Sequence, residues 1–234
     1  MPNNVALHYP GGKGGVGVYQ TIINSIPTHE VYIEAFLGGG SILLHKRPAK
    51  KNIGIDVDER VVRAWSQSPI PSLEVIKGNA IDILNKWNWQ NDDPRQTLVY
   101  CDPPYLRETR SSARRIYRYD FSSVAEHIRL IQTLIGLPCM VMLSGYWSPL
   151  YDRMIGHWRH LVFRSKNRAG ATTLEYVWMN FPPPASLHDY RYLGSGFRER
   201  ERIKRKSERW RAKLLKMSKL ERHAILAAVS DLAE

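Results

Sequence analysis

The chain has 234 residues, 43% of them apolar, which suffices for one sizeable domain with a real core plus an appendage and excludes a disordered protein. Lys and Arg number 34 against 22 Asp and Glu, a net charge of +12 that favours a polyanionic partner, nucleic acid ahead of anionic membrane. No apolar run is long enough to span a bilayer, and the polar, then glycine-rich N-terminus lacks a signal-peptide pattern. The two cysteines, Cys101 and Cys139, cannot make a zinc site by themselves and lie in apolar runs, so buried free thiols in a reducing cytoplasm are expected.

The stretch Tyr9 to Thr21, "YPGGKGGVGVYQT", is a glycine-rich loop opening a helix over Val16–Ser25. It is not a nucleotide phosphate loop. Such a loop follows a buried strand and ends in Gly-Lys-Ser/Thr, whereas Val18-Tyr19 stands where that pair belongs. Val31–Phe36 reads as a strand that meets a second cluster, Gly38-Gly39-Gly40-Ser41, with a helix starting at Ser41. Asn52–Val57 is a strand ending in acids, followed by a helix from Asp58 to Ser66. Leu73–Lys77 is a short strand before Gly78-Asn79-Ala80 and a helix around Ile81–Trp87. Thr97–Cys101 is a buried strand running into Asp102-Pro103-Pro104-Tyr105. Ser123 and Glu126 form a capping box for a helix over Val124–Ile135, and Pro138–Leu143 is a fifth strand. Leu161–Arg164 and Thr173–Phe181 pair as a closing hairpin.

This alternation predicts an α/β fold: a doubly wound, Rossmann-like sheet, mostly parallel, with a closing antiparallel hairpin. Ligands in such sheets sit at the carboxyl ends of the strands, where the glycine cluster, Asp56, Asn79 and Asp102–Tyr105 all fall. After "FPPPA" the composition changes, which predicts a domain over 1–184 and a basic helical extension over 185–234. Ile203, Trp210, Leu214 and Met217 recur at helical spacing among the cations of that extension, and Ser218 with Glu221 opens a final helix. A solvated helix and a nucleic-acid-contacting tail both fit this pattern.

"VYCDPPY" carries the most specific signal. With "YPGGKGG", "EAFLGGGS", "GIDVD", "GNAID", "MLSGYW" and "LEYVWMNF" in this order, the chain from about Tyr9 to Phe181 resembles the Dam-type (D12 class) family of DNA adenine-N6 methyltransferases. The resemblance implies S-adenosylmethionine as cofactor, double-stranded DNA as partner, no metal, a monomer in the cytoplasm, and a role in bacteria or phages in marking DNA or evading restriction. It implies that Tyr9, Pro10, Gly11, Gly12 and Lys13 close over the cofactor. Glu34, Phe36, Gly38, Gly40, Ser41, Asp56, Val57, Asn79, Ala80 and Asp102 would line its site, with Asp56 accepting from ribose hydroxyls and the Asn79 carbonyl accepting from the adenine amine. Asp102, Pro103, Pro104 and Tyr105 would be the catalytic motif. The carboxylate and the Pro103 carbonyl would accept the two hydrogens of the target amine, and Tyr105 would stack on the flipped base. Arg107, Arg110, Arg114, Arg115, Tyr117, Arg118 and Tyr119, with Arg164, Lys166 and Arg168 of the hairpin, would contact DNA.

The chain lacks the long target-recognition insertion that many relatives carry, because two helices and a strand fill Asp56 to Asp102. A short or relaxed recognition sequence follows. The alternatives are a cytosine-N4 methyltransferase, in which Ser commonly replaces the acid, and a non-catalytic nucleic-acid-binding protein on the same scaffold.

Overall fold

The computed structural model describes residues 12–15, 17–110, 119, 121, 123–166 and 172–231. Seven strands among them form one sheet in the order β3-β2-β1-β4-β5-β7-β6. The strands are β1 (Val31–Ala35), β2 (Lys51–Asp56), β3 (Leu73–Lys77), β4 (Thr97–Cys101), β5 (Met140–Gly145), β6 (Arg159–Lys166) and β7 (Thr172–Met179). The first five run parallel, and β7 inserts antiparallel between β5 and β6. This is the doubly wound, Rossmann-like sheet with a closing hairpin that the alternation predicts.

β1 and β4 are buried along their whole length, as central strands covered on both faces must be. Val31, Ile33 and Ala35 of β1 point to one side. They join the core built by α4 (Ala80–Asn85), α5 (Val124–Gly136) and α6 (Pro149–Ile155) through Leu84, Leu130, Leu134, Tyr151 and Ile155. Tyr32 and Glu34 point to the other side, where Glu34 Oε2 accepts from Leu43 N–H of α2 (Ser41–His45) at 2.9 Å; α2 packs against α1 (Val18–Ile23). α3 (Glu59–Trp65) covers β2 and β3. Local caps place the helices as the sequence indicates. Asp58, Asn79, Ser123 and Ser148 each accept a bond from the first turn of α3, α4, α5 and α6.

α6 is absent from the sequence expectation. Its signals, Ser148 at the N-cap and Pro149 at the first helical position, are present, but seven residues are too few to show a helical period. The chain forms two compact units, Met1–Asp189 and Tyr190–Glu234. The first extends past Pro184 because Leu187 bridges Pro27, His188 N–H donates to Ile26 O at 3.0 Å, and Asp189 accepts from Arg47 N–H at 2.9 Å. The second unit holds α7 (Phe197–Lys216) and α8 (Lys219–Ser230), with no buried residue in either helix.

Candidate active site

A cavity of about 240 Å³ opens at the carboxyl ends of β1, β2, β3 and β4. The structure brings to its wall Gly12, Lys13, Glu34, Phe36, Gly38, Gly40, Ser41, Asp56, Val57, Asn79, Ala80, Asp102, Pro103, Pro104, Tyr105 and Tyr119. These are sixteen residues singled out from the sequence, drawn from six segments. Tyr9, Pro10, Gly11, Arg114, Arg115, Tyr117, Arg118 and Arg168 lie outside the described residues.

The loop after β1 is held in an unusual backbone. Phe36 has φ of 64°, Gly38 of 46° and Gly40 of 56°, so a bulky side chain sits in the left-handed region between β1 and α2. Two side chains hold the turn. Asp56 accepts from Gly38 N–H at 2.8 Å and from Asp58 N–H at 2.8 Å. The Trp65 indole N–H donates to Gly38 O at 3.0 Å. A Cβ on Gly40 would stand 2.2 Å from the Trp65 ring, so the missing side chain makes room for the indole. Trp65 is thus a support that the sequence reading missed.

Asp56 therefore serves the backbone with both oxygens, each keeping lone pairs for a ligand. Burial raises its carboxyl above the ordinary value against the pull of the Asp58 and Gly38 amides. Asn79 Oδ1 is occupied by the cap, accepting from Ile81 N–H at 2.9 Å and Asp82 N–H at 3.4 Å. What it leaves for a ligand is the amide nitrogen, a donor, where the resemblance implies an acceptor. Glu34 is buried, and desolvation pushes its carboxyl up to about 8 although Tyr32 and the Leu43 amide both donate to it.

The centre of the site is a cluster around one ammonium. Lys13 Nζ lies 2.7 Å from both Asp102 oxygens, 2.6 Å from Tyr105 OH and 3.4 Å from Glu175 Oε2. Its side chain is 4% exposed against 18% for Asp102. Tyr105 OH donates to Glu175 Oε2 at 2.8 Å, and Ser165 donates to Glu175 Oε1 at 2.5 Å. Burial lifts the Asp102 carboxyl above its ordinary range while Lys13 pulls it down. Burial also acts to raise Glu175, but Lys13, Ser165 and Tyr105 outweigh it and hold that carboxyl low. The Tyr105 ring meets Tyr146 edge-on at 4.5 Å. Glu175 was not singled out from the sequence, yet a signal existed. It falls in step with the buried Val177 and Met179 along β7, an acid at an inward position.

Of the expected nucleic-acid contacts, Tyr119 stands half-open on the cavity wall beside Phe121, and Arg107 and Arg164 are exposed. Arg110 is turned inward, its Nε donating to Tyr105 O at 2.5 Å, so it braces the Asp-Pro-Pro-Tyr segment. Lys166 ends β6. Cys101 and Cys139 are buried free thiols, and burial pushes Cys139 up to about 12. Among the described residues no helix is long and apolar enough to cross a membrane, and no group of three His, Cys, Asp or Glu is placed to hold a metal.

No family model matches the chain, and no curated protein matches it. Among solved structures it is similar to a precorrin 8W decarboxylase of Methanobacterium thermoautotrophicum, at 8% identity over 78% of this chain and 100% of that one, with a TM-score of 0.48. It is similar to a dimethyladenosine transferase from Plasmodium falciparum at 15% identity over 69% of this chain and 60% of that one, TM-score 0.42. A third similar structure is the 23S rRNA methyltransferase ErmE, at 10% identity over 80% and 71%, TM-score 0.43. What the cavity does has to be read from its own side chains.

Proposed function

We propose that this protein transfers a methyl group from S-adenosylmethionine to the exocyclic N6 amine of an adenine flipped out of duplex DNA. The observation that carries the reading is Asp102. Its carboxylate stands at the end of β4, on the wall of a cavity it shares with Glu34 and Asp56, and is followed directly by Pro103.

The donor set fits the cofactor. Four acidic side chains, Glu34, Asp56, Asp102 and Glu126, against the Lys13 ammonium make a wall that favours a cation, and Phe36, Ile55, Val57 and Phe121 supply apolar surface for a ring. When bound, S-adenosylmethionine supplies a methyl group on a positively charged sulfur. Gly12, Lys13, Glu34, Phe36, Gly38, Gly40, Ser41, Asp56, Val57, Asn79 and Ala80 would hold it. The remaining lone pairs of Asp56 suit ribose hydroxyls, and the Asn79 amide suits a ring nitrogen.

The chain's own part is to make a poor nucleophile attack. An adenine amine is delocalised into its ring. Acceptors on both its hydrogens, the Asp102 carboxylate and the Pro103 carbonyl, favour a pyramidal nitrogen with a directed lone pair. Lys13 holds both Asp102 oxygens, and each oxygen keeps a lone pair for an incoming amine. Glu175, 3.4 Å from the same ammonium, gives Lys13 a second anchor. Tyr105 offers a face to the extruded base. No covalent enzyme intermediate is required, and the work is positioning plus electrostatics. α3, β3, α4, a 3-10 turn at Pro94–Gln96 and β4 fill Asp56 to Asp102, leaving no recognition domain there, which supports a short or relaxed target sequence.

The test is to incubate the protein with methyl-labelled cofactor and, separately, plasmid DNA and ribosomal RNA, then identify the labelled nucleosides by mass spectrometry. The expected product is N6-methyladenine from the DNA. Label in N4-methylcytosine, label confined to the RNA, or no label would overturn the proposal.

A further inference from the structure

The strongest concentration of charge in the molecule lies outside this cavity. α7 is a 20-residue helix carrying ten Lys or Arg against Glu199, Glu201 and Glu208, in a chain whose whole net charge is +12. At about 100° per residue, Arg198, Arg202, Arg205, Lys206, Arg209, Lys213 and Lys216 fall within one arc about 100° wide. All seven are exposed, and none of the three acids lies in the arc. With a rise of about 1.5 Å per residue the row is about 27 Å long. Arg202 reaches Glu199 at 3.6 Å at the arc's edge, and Lys213 lies 5.1 Å over the Trp210 ring. The other cations, Arg200, Lys204 and Arg211, fall on the side that also carries Glu201 and Glu208, where like and unlike charges alternate.

Like charges at (i, i+3) and (i, i+4) destabilise an isolated helix, so a row of seven costs stability beyond what the Arg202–Glu199 pair relieves unless a polyanion meets it. We propose that this face of α7 is a docking surface for the phosphate backbone of duplex DNA, binding without regard to sequence. A line of cations along a helix matches a line of phosphates better than it matches one anion. A membrane surface fits less well. An interfacial helix buries a broad apolar face, and here Ile203, Trp210 and Leu214 make a narrow stripe flanked by Arg200 and Arg211, with Trp210 54% exposed. The choice of DNA over RNA rests on the methyltransferase reading above.

The test measures binding of the full chain, without cofactor, to a fluorescent 24-base-pair duplex containing only G and C, across a salt series. The parent is compared with Arg205→Gln/Arg209→Gln/Lys213→Gln and with the charge-matched control Arg200→Gln/Lys204→Gln/Arg211→Gln. Each phosphate contact contributes about 0.9 to the slope of log affinity against log salt, so the first variant should lose about 2.7 from that slope and the control less than about 1. Raising salt from about 50 to about 200 mM then weakens the parent about 40-fold more than the first variant. Glutamine preserves helix propensity, and circular dichroism checks that both variants keep their helix. Equal slopes for parent and first variant, equal losses in both variants, tighter binding to an RNA duplex of the same length, or tighter binding to vesicles one-third phosphatidylserine would each overturn the proposal. Because the duplex has no adenine and no cofactor is present, this outcome is independent of whether adenine is methylated.

Discussion

Replacing Lys13 by methionine isolates the interaction on which the chemistry turns. The ammonium lies 2.7 Å from both Asp102 oxygens with the side chain almost fully buried. At that distance and an effective dielectric of about 20 the gross attraction is about 6 kcal/mol. Desolvation of the two ions offsets much of it, and an opposite charge this close typically lowers a carboxyl by about 1 to 3 units. Methionine keeps the length of the side chain and removes the charge, so burial and the Glu175 carboxylate then act on Asp102 against the Tyr105 hydroxyl and raise it further. Asp102 must be ionised to accept the amine hydrogen. The acidic limb of the pH profile of kcat/KM for DNA, measured at saturating cofactor, should therefore move about 1 to 3 units to higher pH, with activity returning above it. An acidic limb that stays in place, with activity lost equally at every pH, would refute the idea that Lys13 sets the ionisation of Asp102.

Glu34→Gln removes a buried carboxyl pushed up to about 8. Its folded value lies above its ordinary one, so between about 4.5 and about 8 the unfolded chain ionises while the folded one stays protonated, and stability falls as pH rises. The variant should be more stable at pH 8, by up to about 4 kcal/mol, and flatter across this window in urea titrations. A cationic ligand favours the ionised form, so cofactor binding near pH 7 should release a proton from the parent and not from the variant, read by calorimetry in buffers of different ionisation enthalpy. Gly40→Ala places a Cβ 2.2 Å from Trp65 at a φ of 56° and should cost about 2–4 kcal/mol, a fall of roughly 5–15 °C in Tm; an unchanged Tm would mean that the loop does not lean on Trp65. His127 is buried, bonded to Tyr151 OH at 2.8 Å, and burial lowers it to about 4. The unfolded chain takes up that proton first, so stability should drop by up to about 3 kcal/mol as pH falls from about 6.5 to about 4, and His127→Gln should shrink this acid sensitivity.

The fold was legible because its signals are local and repeated. Apolar runs such as Thr97–Cys101 and caps such as Ser123 with Glu126 recur in an order that only a doubly wound sheet accommodates. The place of the site was legible for the same reason, since strand ends follow from strand limits. What each polar side chain does there was not. Asp56 and Asn79 read as ligand contacts, yet both first satisfy backbone amides, a competition decided by the φ of Gly38 and by the first turn of α4. Trp65 and Glu175 lie 25 or more positions from Gly40 and Lys13 in the chain, so their meeting depends on β2 and β7 reaching the same edge. Arg110 reads as a surface arginine, and its inward turn onto Tyr105 O follows from the path of the chain after Pro104.

The most direct measurement is the rate of N6-methyladenine formation in DNA by Asp102→Ala relative to the parent, at saturating S-adenosylmethionine and by mass spectrometry of the nucleosides. The parent should make the modified base and the variant should be slower by about 10²–10³-fold, the usual loss when a group that stabilises the transition state is removed. A variant as fast as the parent, or a parent that makes none, contradicts the proposed function.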